Sequence, residues 1–176
     1  KIVEKTPPGA NKLIFTPWLY GERSPVDNHS IRGGLYNISL ETTREHLIRA
    51  VFEGVAFNSR WICQYVEKNI KRKLNPINLI GGGANSDVWC QIYADILNRN
   101  IRQVQNPIEA NARGAALIGA VGLGYTTFEQ IPKFTRYKAE YTPNPENRKI
   151  YDELFQEFVI IYENNKDMYE RLNKLH

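Results

Sequence analysis

Three consecutive glycines, Gly81 to Gly83, are the residues of this chain whose type and spacing point most directly to chemistry. They follow the apolar segment 77–80 and precede a segment with the pattern of a helix. Because glycine has no Cβ, a ligand can approach its backbone closely. The free amides and positive dipole end at a helix start suit a phosphate group. The sequence therefore predicts either a nucleotide site or a tight turn without a ligand at residues 81–86, which we call the glycine corner.

The glycine corner lacks the two common phosphate-loop patterns. Its sequence, GGGANS, matches neither GxGxxG nor GxxxxGK[ST], so the residues that define the Rossmann and Walker sites are absent.

Charged residues give weaker candidates. Glu22 and Arg23, in the loop GERSP, could orient a polar ligand, close a domain interface or form a surface ion pair. Asp87 and Asp95 are eight residues apart on one predicted helix. That spacing places them on one face but two turns apart, which is too far for a shared proton or a single metal ion.

Histidine and cysteine provide no recognisable metal or nucleophile pattern. His29, His46 and His176 are scattered along the chain, and His46, near the start of a long helix, is interpreted as structural. Cys63 and Cys90 are too few and too far apart for a disulfide framework or a CxxC site. We expect two buried free thiols in a reducing compartment, the cytoplasm.

Composition indicates a folded domain. The chain has 176 residues, 42% of them apolar and 24% charged, as in ordinary globular proteins. No uncharged apolar run reaches the 18 residues that a membrane-spanning helix needs. The net charge is +4, and the basic run KNIKRK at 68–73 lacks interleaved aromatic residues. We therefore interpret the run as a solvated helix end and not as a nucleic-acid patch.

Strands alternate with long helices, which predicts an α/β domain with a mixed sheet. A capping-box pair, Thr42 and Glu45, is predicted to open the first long helix. Gly54 inside that helix predicts a close approach of another backbone. The predicted strands are 12–20, 35–38, 77–80, 101–105 and 135–141, and the helices that follow the long one are 86–97, 109–121 and one opening at 144.

The helix at 109–121 carries a surface of small side chains, suited to close packing against a sheet or a second helix. Its members are Ala112, Ala115, Ala116, Gly119 and Ala120.

Several segments together resemble the FGGY family of carbohydrate kinases. The run 32–57, RGGLYNISLETTREHLIRAVFEGVAF, resembles the C-terminal signature of that family, with Asn37 standing where the pattern has glycine. Three further segments occur in the same order as in the xylulokinase-like branch of the family and with similar spacing: GERSP, GGGANSDVWCQIYADIL and EANARGAAL. Arg113 replaces the usual apolar residue before Gly114. The resemblance covers about residues 12–130.

The resemblance implies a ribonuclease H-like domain of the actin type, with residues 1–176 forming the C-terminal nucleotide-binding domain and a last helix at 144–175. Family members close an active site between two such domains. The first residue is Lys1, which agrees with a chain that begins inside a longer protein. By motif position, the resemblance assigns the adenosine and α-phosphate of ATP to Gly81, Gly82, Gly83, Ala84, Asn85 and Ser86. The catalytic aspartate and the groups that hold Mg²⁺ are expected upstream, so no catalytic or metal-binding residue is assigned here.

The function implied for the whole enzyme is transfer of the γ-phosphoryl of ATP to a hydroxyl of a ketopentose such as xylulose. Two alternatives stay open: a kinase of glycerol, gluconate, ribulose or another polyol, and a non-catalytic actin-like domain for assembly or regulation. The expected partners are ATP, a sugar, the N-terminal kinase domain and a possible second copy, with no nucleic acid and no membrane. The isolated chain is expected to fold, to bind ATP weakly and to be inactive.

Overall fold

The computed structural model describes residues 2–173, so Lys1, the predicted end of the last helix at 174–175 and His176 lie outside the described residues. Five α-helices and five strands are present within that range. The helices are α1 (Ile2–Lys5), α2 (Arg44–Ile70), α3 (Asp87–Leu97), α4 (Ala110–Gly122) and α5 (Arg148–Asn173); the strands are β1 (Ile14–Thr16), β2 (Gly34–Tyr36), β3 (Ile77–Leu79), β4 (Ile101–Val104) and β5 (Tyr137–Tyr141).

The strands form two sheets. β1 and β2 are an antiparallel pair, while β3, β4 and β5 form a second sheet in that spatial order. β3 runs parallel to β4, and β5 runs antiparallel to it. The predicted α/β class with a mixed sheet is confirmed, but the antiparallel member is β5 and not the opening strands. The first strand, β1, ends at Thr16 because Pro17 follows directly and cannot donate a ladder hydrogen bond.

Helix α2 begins one residue later than the sequence predicts. Its N-cap is Thr43, whose side-chain oxygen accepts a hydrogen bond from the His46 amide at 3.4 Å. His46 Nδ1 in turn accepts the Thr43 amide at 3.2 Å. The predicted pair of Thr42 and Glu45 is therefore wrong, because an imidazole nitrogen fills the accepting role usually taken by Glu or Gln. The structural interpretation of His46 is confirmed.

Gly54 lets α2 lie directly on β1. A Cβ at this position would be 2.1 Å from the carbonyl oxygen of Phe15. The predicted backbone approach is confirmed, and it fixes α2 against the first sheet.

Aromatic rings fill the core between α2, α5 and the loop after β1. Trp18 is fully buried, with its ring centroid 5.2 Å from that of Phe158 and 6.3 Å from that of Trp61. These contacts cross three segments that are distant in sequence, so they hold the two long helices together.

Among the described residues, no sheet or helix covers α4, so the predicted close packing is not found there. None of its residues is buried. A Cβ built on Gly114 or Gly119 meets no heavy atom within 4 Å. The small-residue face is therefore present but open, because no described element lies opposite it.

The basic run ends α2, as predicted. Lys71 is the left-handed C-cap of the helix, and the lysine and arginine side chains of residues 68–73 are exposed. Between residues 2 and 173, no helix combines the length and the apolar character needed to cross a bilayer.

Candidate functional site

The glycine corner joins β3 to α3 through a single turn of 3₁₀ helix, Gly82–Asn85. Gly81 precedes that turn with φ 84° and ψ −177°, a backbone conformation available essentially to glycine alone. The Gly81 amide donates to the carbonyl of Pro107 at 2.8 Å. Ser86 then caps α3, its hydroxyl accepting the Trp89 amide at 3.3 Å. The corner is therefore fixed at both ends.

The structure explains two of the three glycines by local constraints and leaves the third without one. Gly81 needs its positive φ. Gly83 lies against an indole, since a Cβ there would be 2.8 Å from Trp89 Cζ3. Gly82 has neither constraint: its φ is not positive, it is exposed, and a Cβ would meet nothing within 4 Å. No described residue explains the missing side chain of Gly82, so the space above it is free for a molecule from outside.

Of the two residues that follow the glycines, Ala84 is bound within the fold and Asn85 is free. Ala84 is fully buried, and its carbonyl accepts the side-chain amide of Gln103 at 2.7 Å. Asn85 is exposed and makes no side-chain hydrogen bond within the described residues. The amides of Gly82 and Gly83 also make no hydrogen bond to a described residue. Two backbone donors and one side-chain amide are thus available to a ligand.

The charge beside the corner is balanced. Asp87, in the first turn of α3, accepts hydrogen bonds from Lys138 Nζ at 2.7 Å and from Gln103 Nε2 at 3.0 Å. The lysine lowers the pKa of the Asp87 carboxyl, and Gln103 acts in the same direction. A phosphate group bound at the corner would therefore lie near a carboxylate, Asp87, whose negative charge Lys138 already balances.

The loop GERSP is organised by Glu22. Its carboxylate accepts the backbone amides of Arg23 and Ser24 at 2.8 and 3.3 Å, and the side-chain amide of Asn58 at 2.7 Å. The surface ion pair considered for Glu22 and Arg23 is absent among the described residues. Arg23 is exposed, and its guanidinium makes no hydrogen bond or ion pair with a described residue, so the loop presents one cation to solvent.

Asp95 is structural and does not act with Asp87. It is 5% exposed and accepts hydrogen bonds from the Asn144 amide and the Asn147 side chain, both at 2.8 Å. It thereby holds the start of α5 against α3. Asp87 and Asp95 therefore have separate partners.

Both cysteines are free thiols, but they differ in burial. Cys90 is buried, and burial raises its pKa to about 11. Cys63 is partly exposed, which corrects the prediction that both are buried. Desolvation also raises the pKa of Cys63, so neither thiol has the character of a nucleophile. No group of three or more His, Cys, Asp or Glu side chains that could hold a metal ion occurs within residues 2–173.

Sequence reasoning missed a buried polar network at the centre of the domain. Arg49 Nε donates to Glu53 Oε1 at 2.6 Å, and the hydroxyl of Tyr151 donates to the same oxygen at 2.8 Å. Arg49 also donates to the carbonyls of Val3 and Thr6 at 2.7 and 2.6 Å. Burial raises the pKa of the Glu53 carboxyl, while Arg49 opposes that shift. The signal was an Arg and a Glu four residues apart inside the apolar face of α2.

The comparisons with known proteins agree on one family. The model described as "FGGY family of carbohydrate kinases, C-terminal domain" matches residues 3–123. The chain is 35% identical over 170 residues to a xylulose kinase of Bacillus subtilis, which covers 94% of the chain and 33% of that relative. It is 31% identical over 160 residues to a gluconokinase of Bacillus licheniformis, covering 90% and 31%.

A solved structure gives the same result. The ligand-bound xylulose kinase of Lactobacillus acidophilus superimposes with a TM-score of 0.83 at 27% identity, over 97% of this chain and 35% of that one. The superposition confirms the actin-type α/β fold expected from the resemblance. The chain spans about a third of the length of the curated relatives that it matches.

Proposed function

Because the chain belongs to the FGGY family of carbohydrate kinases and corresponds to its C-terminal domain, we propose that it is the nucleotide-binding part of an ATP-dependent sugar kinase. The substrate that we propose for the whole enzyme is a ketopentose such as xylulose, and the similarity to xylulose kinases supports it. The similarity to a gluconokinase keeps gluconate as the second candidate.

The observation that carries the proposal is the open surface above Gly82. In the proposed complex, the amides of Gly82 and Gly83 and the side chain of Asn85 donate hydrogen bonds to the adenosine and α-phosphate end of ATP. Gly81 supports them by fixing the turn. Ala84 and Ser86 act indirectly, since the Ala84 carbonyl and the Ser86 hydroxyl are engaged within the fold.

The chain orients the nucleotide but supplies no evident base. The acids nearest the corner and in the core are engaged: Asp87 with Lys138, Asp95 with two asparagines, and Glu53 with Arg49. Phosphoryl transfer depends mainly on positioning and charge neutralisation. We therefore place the base in the remaining part of the kinase. Family members use ATP with Mg²⁺, but residues 2–173 offer no matching cluster of ligands, so we also place the Mg²⁺ ligands there.

Gly82→Val tests the nucleotide site. We expect the affinity of the chain for ATP to fall at least tenfold, because the branched side chain fills the surface that the nucleotide needs. The thermal unfolding temperature is expected to change little, since the position is exposed and no described atom lies within 4 Å of the new Cβ. The measurement is a nuclear magnetic resonance titration of the ¹⁵N-labelled chain with ATP up to millimolar concentration.

Gly122→Val is the matched control, because Gly122 is also exposed and unobstructed but lies at the far end of α4. It should keep wild-type affinity. Equal ATP affinity in the Gly82→Val variant and the wild type would contradict the proposed site.

We also propose that the small-residue face of α4 is covered by the remaining part of the kinase. Glycine inside a helix costs about 0.5–1 kcal/mol relative to alanine, and no described contact compensates for that cost at Gly114 or Gly119. Large apolar side chains continue the surface beyond the helix, with Leu123 at 74% and Phe128 at 64% exposure. An apolar surface of this kind marks an interaction site, and the relatives are about three times longer than this chain.

Ala116→Arg tests this contact. In the kinase of full length, we expect roughly tenfold lower activity, because a long charged side chain separates surfaces that small residues hold close. In the 176-residue chain, we expect an unchanged unfolding temperature, since Ala116 is exposed. Lys149→Arg, at an exposed position on α5, is the control. Full activity of the Ala116→Arg kinase would exclude α4 from the interface.

A non-catalytic, actin-like role in assembly or regulation is the competing function. Phosphorylation of a sugar by the protein of full length would exclude it. We propose a cytoplasmic location for the kinase, which the two free thiols support. A homodimer stays a prediction.

A further inference from the structure

We propose that Trp89 is a positioning residue of the nucleotide site: its indole fixes the backbone of Gly83 and so aims the free amides of the glycine corner. This inference rests on the proposed function. Trp89 lies on α3, six residues after Gly83, and has no part in the sequence-based assignment of the site.

The indole is the surface on which Gly83 rests. A Cβ at Gly83 would lie 2.8 Å from Trp89 Cζ3 and 3.0 Å from Cε3. Contacts under 3.0 Å are not tolerated between a side chain and a ring that cannot move. The backbone of Gly83 therefore lies close to the indole, and glycine is the residue that allows this close approach.

Two contacts hold the indole itself in place. Its Nε1 donates to the carbonyl oxygen of Phe52 on α2 at 3.0 Å. Its ring also packs on the ring of Phe52, with the centroids 4.7 Å apart and the planes tilted by 45°. A hydrogen bond at one edge and a packed ring together define the orientation of the indole.

This arrangement connects the corner to the centre of the domain. Phe52 lies in the same turn of α2 as Arg49 and Glu53, which hold Val3, Thr6 and Gly9 through buried hydrogen bonds. A displacement of α2 relative to α3 would therefore reach Gly83 through the indole. The Trp89 side chain therefore connects the position of residues 3–9 with the position of the free amides of the glycine corner.

Trp89→Phe tests the positioning role. The variant keeps an aromatic ring on α3 but removes the N–H that anchors the indole to Phe52 and the outer ring carbons that face Gly83. Without that anchor the ring can reorient, so ATP binding must also fix the Gly83 backbone, and the affinity falls. We expect the dissociation constant for ATP to rise about fivefold. Trp61→Phe is the matched control: Trp61 is 4% exposed in the aromatic core and does not contact the corner, so its loss should change stability and not ATP affinity.

The indole also provides a direct spectroscopic signature. The chain contains three tryptophans, so its ¹⁵N spectrum has three indole N–H signals, and the Trp89→Phe and Trp61→Phe variants assign them. On addition of ATP, we expect the Trp89 signal to shift together with the Gly82 and Gly83 amides. The signals of Trp18 and Trp61 should stay in place, since both rings lie in the aromatic core.

The outcomes distinguish the two proposals. If the Gly82 and Gly83 amides of the wild-type chain do not respond to ATP, the nucleotide site itself is refuted. If those amides respond, the inference is refuted either by a Trp89 indole signal that does not move or by wild-type ATP affinity in the Trp89→Phe variant. The indole signal is read on the wild-type chain, where nuclear Overhauser contacts between the Trp89 indole and Phe52 also assign it, so this test holds even if the variant does not fold.

Discussion

Arg49→Met is expected to destabilise the domain by about 3–5 kcal/mol, the range measured when one partner of a buried ion pair is removed. Arg49 and Glu53 are 6% and 0% exposed. The substitution leaves a buried carboxylate without its cation, and it leaves the carbonyls of Val3 and Thr6 without their donor. Since domains are commonly stable by 5–15 kcal/mol, the loss is a large part of the total.

Denaturant unfolding of the wild-type chain and the variant measures this effect. The double variant Arg49→Met, Glu53→Leu is the control, because it removes the orphaned charge together with the cation. Replacing both partners of a buried pair with apolar residues is often neutral, so the double variant should recover part of the lost stability, while the Val3 and Thr6 carbonyls and the Gly9 amide stay without their partners. Two results would refute the argument: a single variant within 1 kcal/mol of the wild type, or a double variant no more stable than the single one.

Gly54→Ala is expected to destabilise the domain by about 3 kcal/mol, at the upper end of the usual cost of overpacking. Helix propensity alone predicts the opposite sign, a gain of up to about 1 kcal/mol. The structure reverses that sign because the new Cβ would lie 2.1 Å from the Phe15 carbonyl oxygen. That oxygen belongs to the backbone of β1, so a rotamer change cannot relieve the clash and α2 must move away from the sheet.

Gly119→Ala is the matched control for this prediction. Gly119 is also inside a helix, but a Cβ there meets no atom within 4 Å, so only propensity acts and the change should be neutral or stabilising. Thermal unfolding of both variants separates the two effects. An unfolding temperature of Gly54→Ala equal to or above that of the wild type would show that α2 and β1 are not in backbone contact.

Local signals in the sequence were enough for the order of elements from β1 onward and for the position of the glycine corner, but they did not predict α1. The corner follows β3 and precedes α3 as predicted, because a glycine run and a serine cap act within a few residues. The close backbone approach at Gly54 was also predicted correctly. Asn37 adopts φ 68° where the family pattern has glycine, which asparagine tolerates better than most residues. The capping box was missed by one residue because His46 is an unusual substitute for Glu.

The tertiary structure alone decided which residues of the corner are available to a ligand. The sequence does not distinguish Ala84 and Ser86 from the other residues of the corner as ligand contacts. In the structure, the Ala84 carbonyl and the Ser86 hydroxyl already accept hydrogen bonds from the chain itself, whereas Gly82 faces open space. The tertiary structure also decided that Trp89 lies under Gly83 and that α4 is uncovered. Residue type and helical period determine local geometry. The burial of a side chain and its hydrogen-bond partners depend on segments that come into contact only after folding, and the periodicity of the sequence does not show which segments these are.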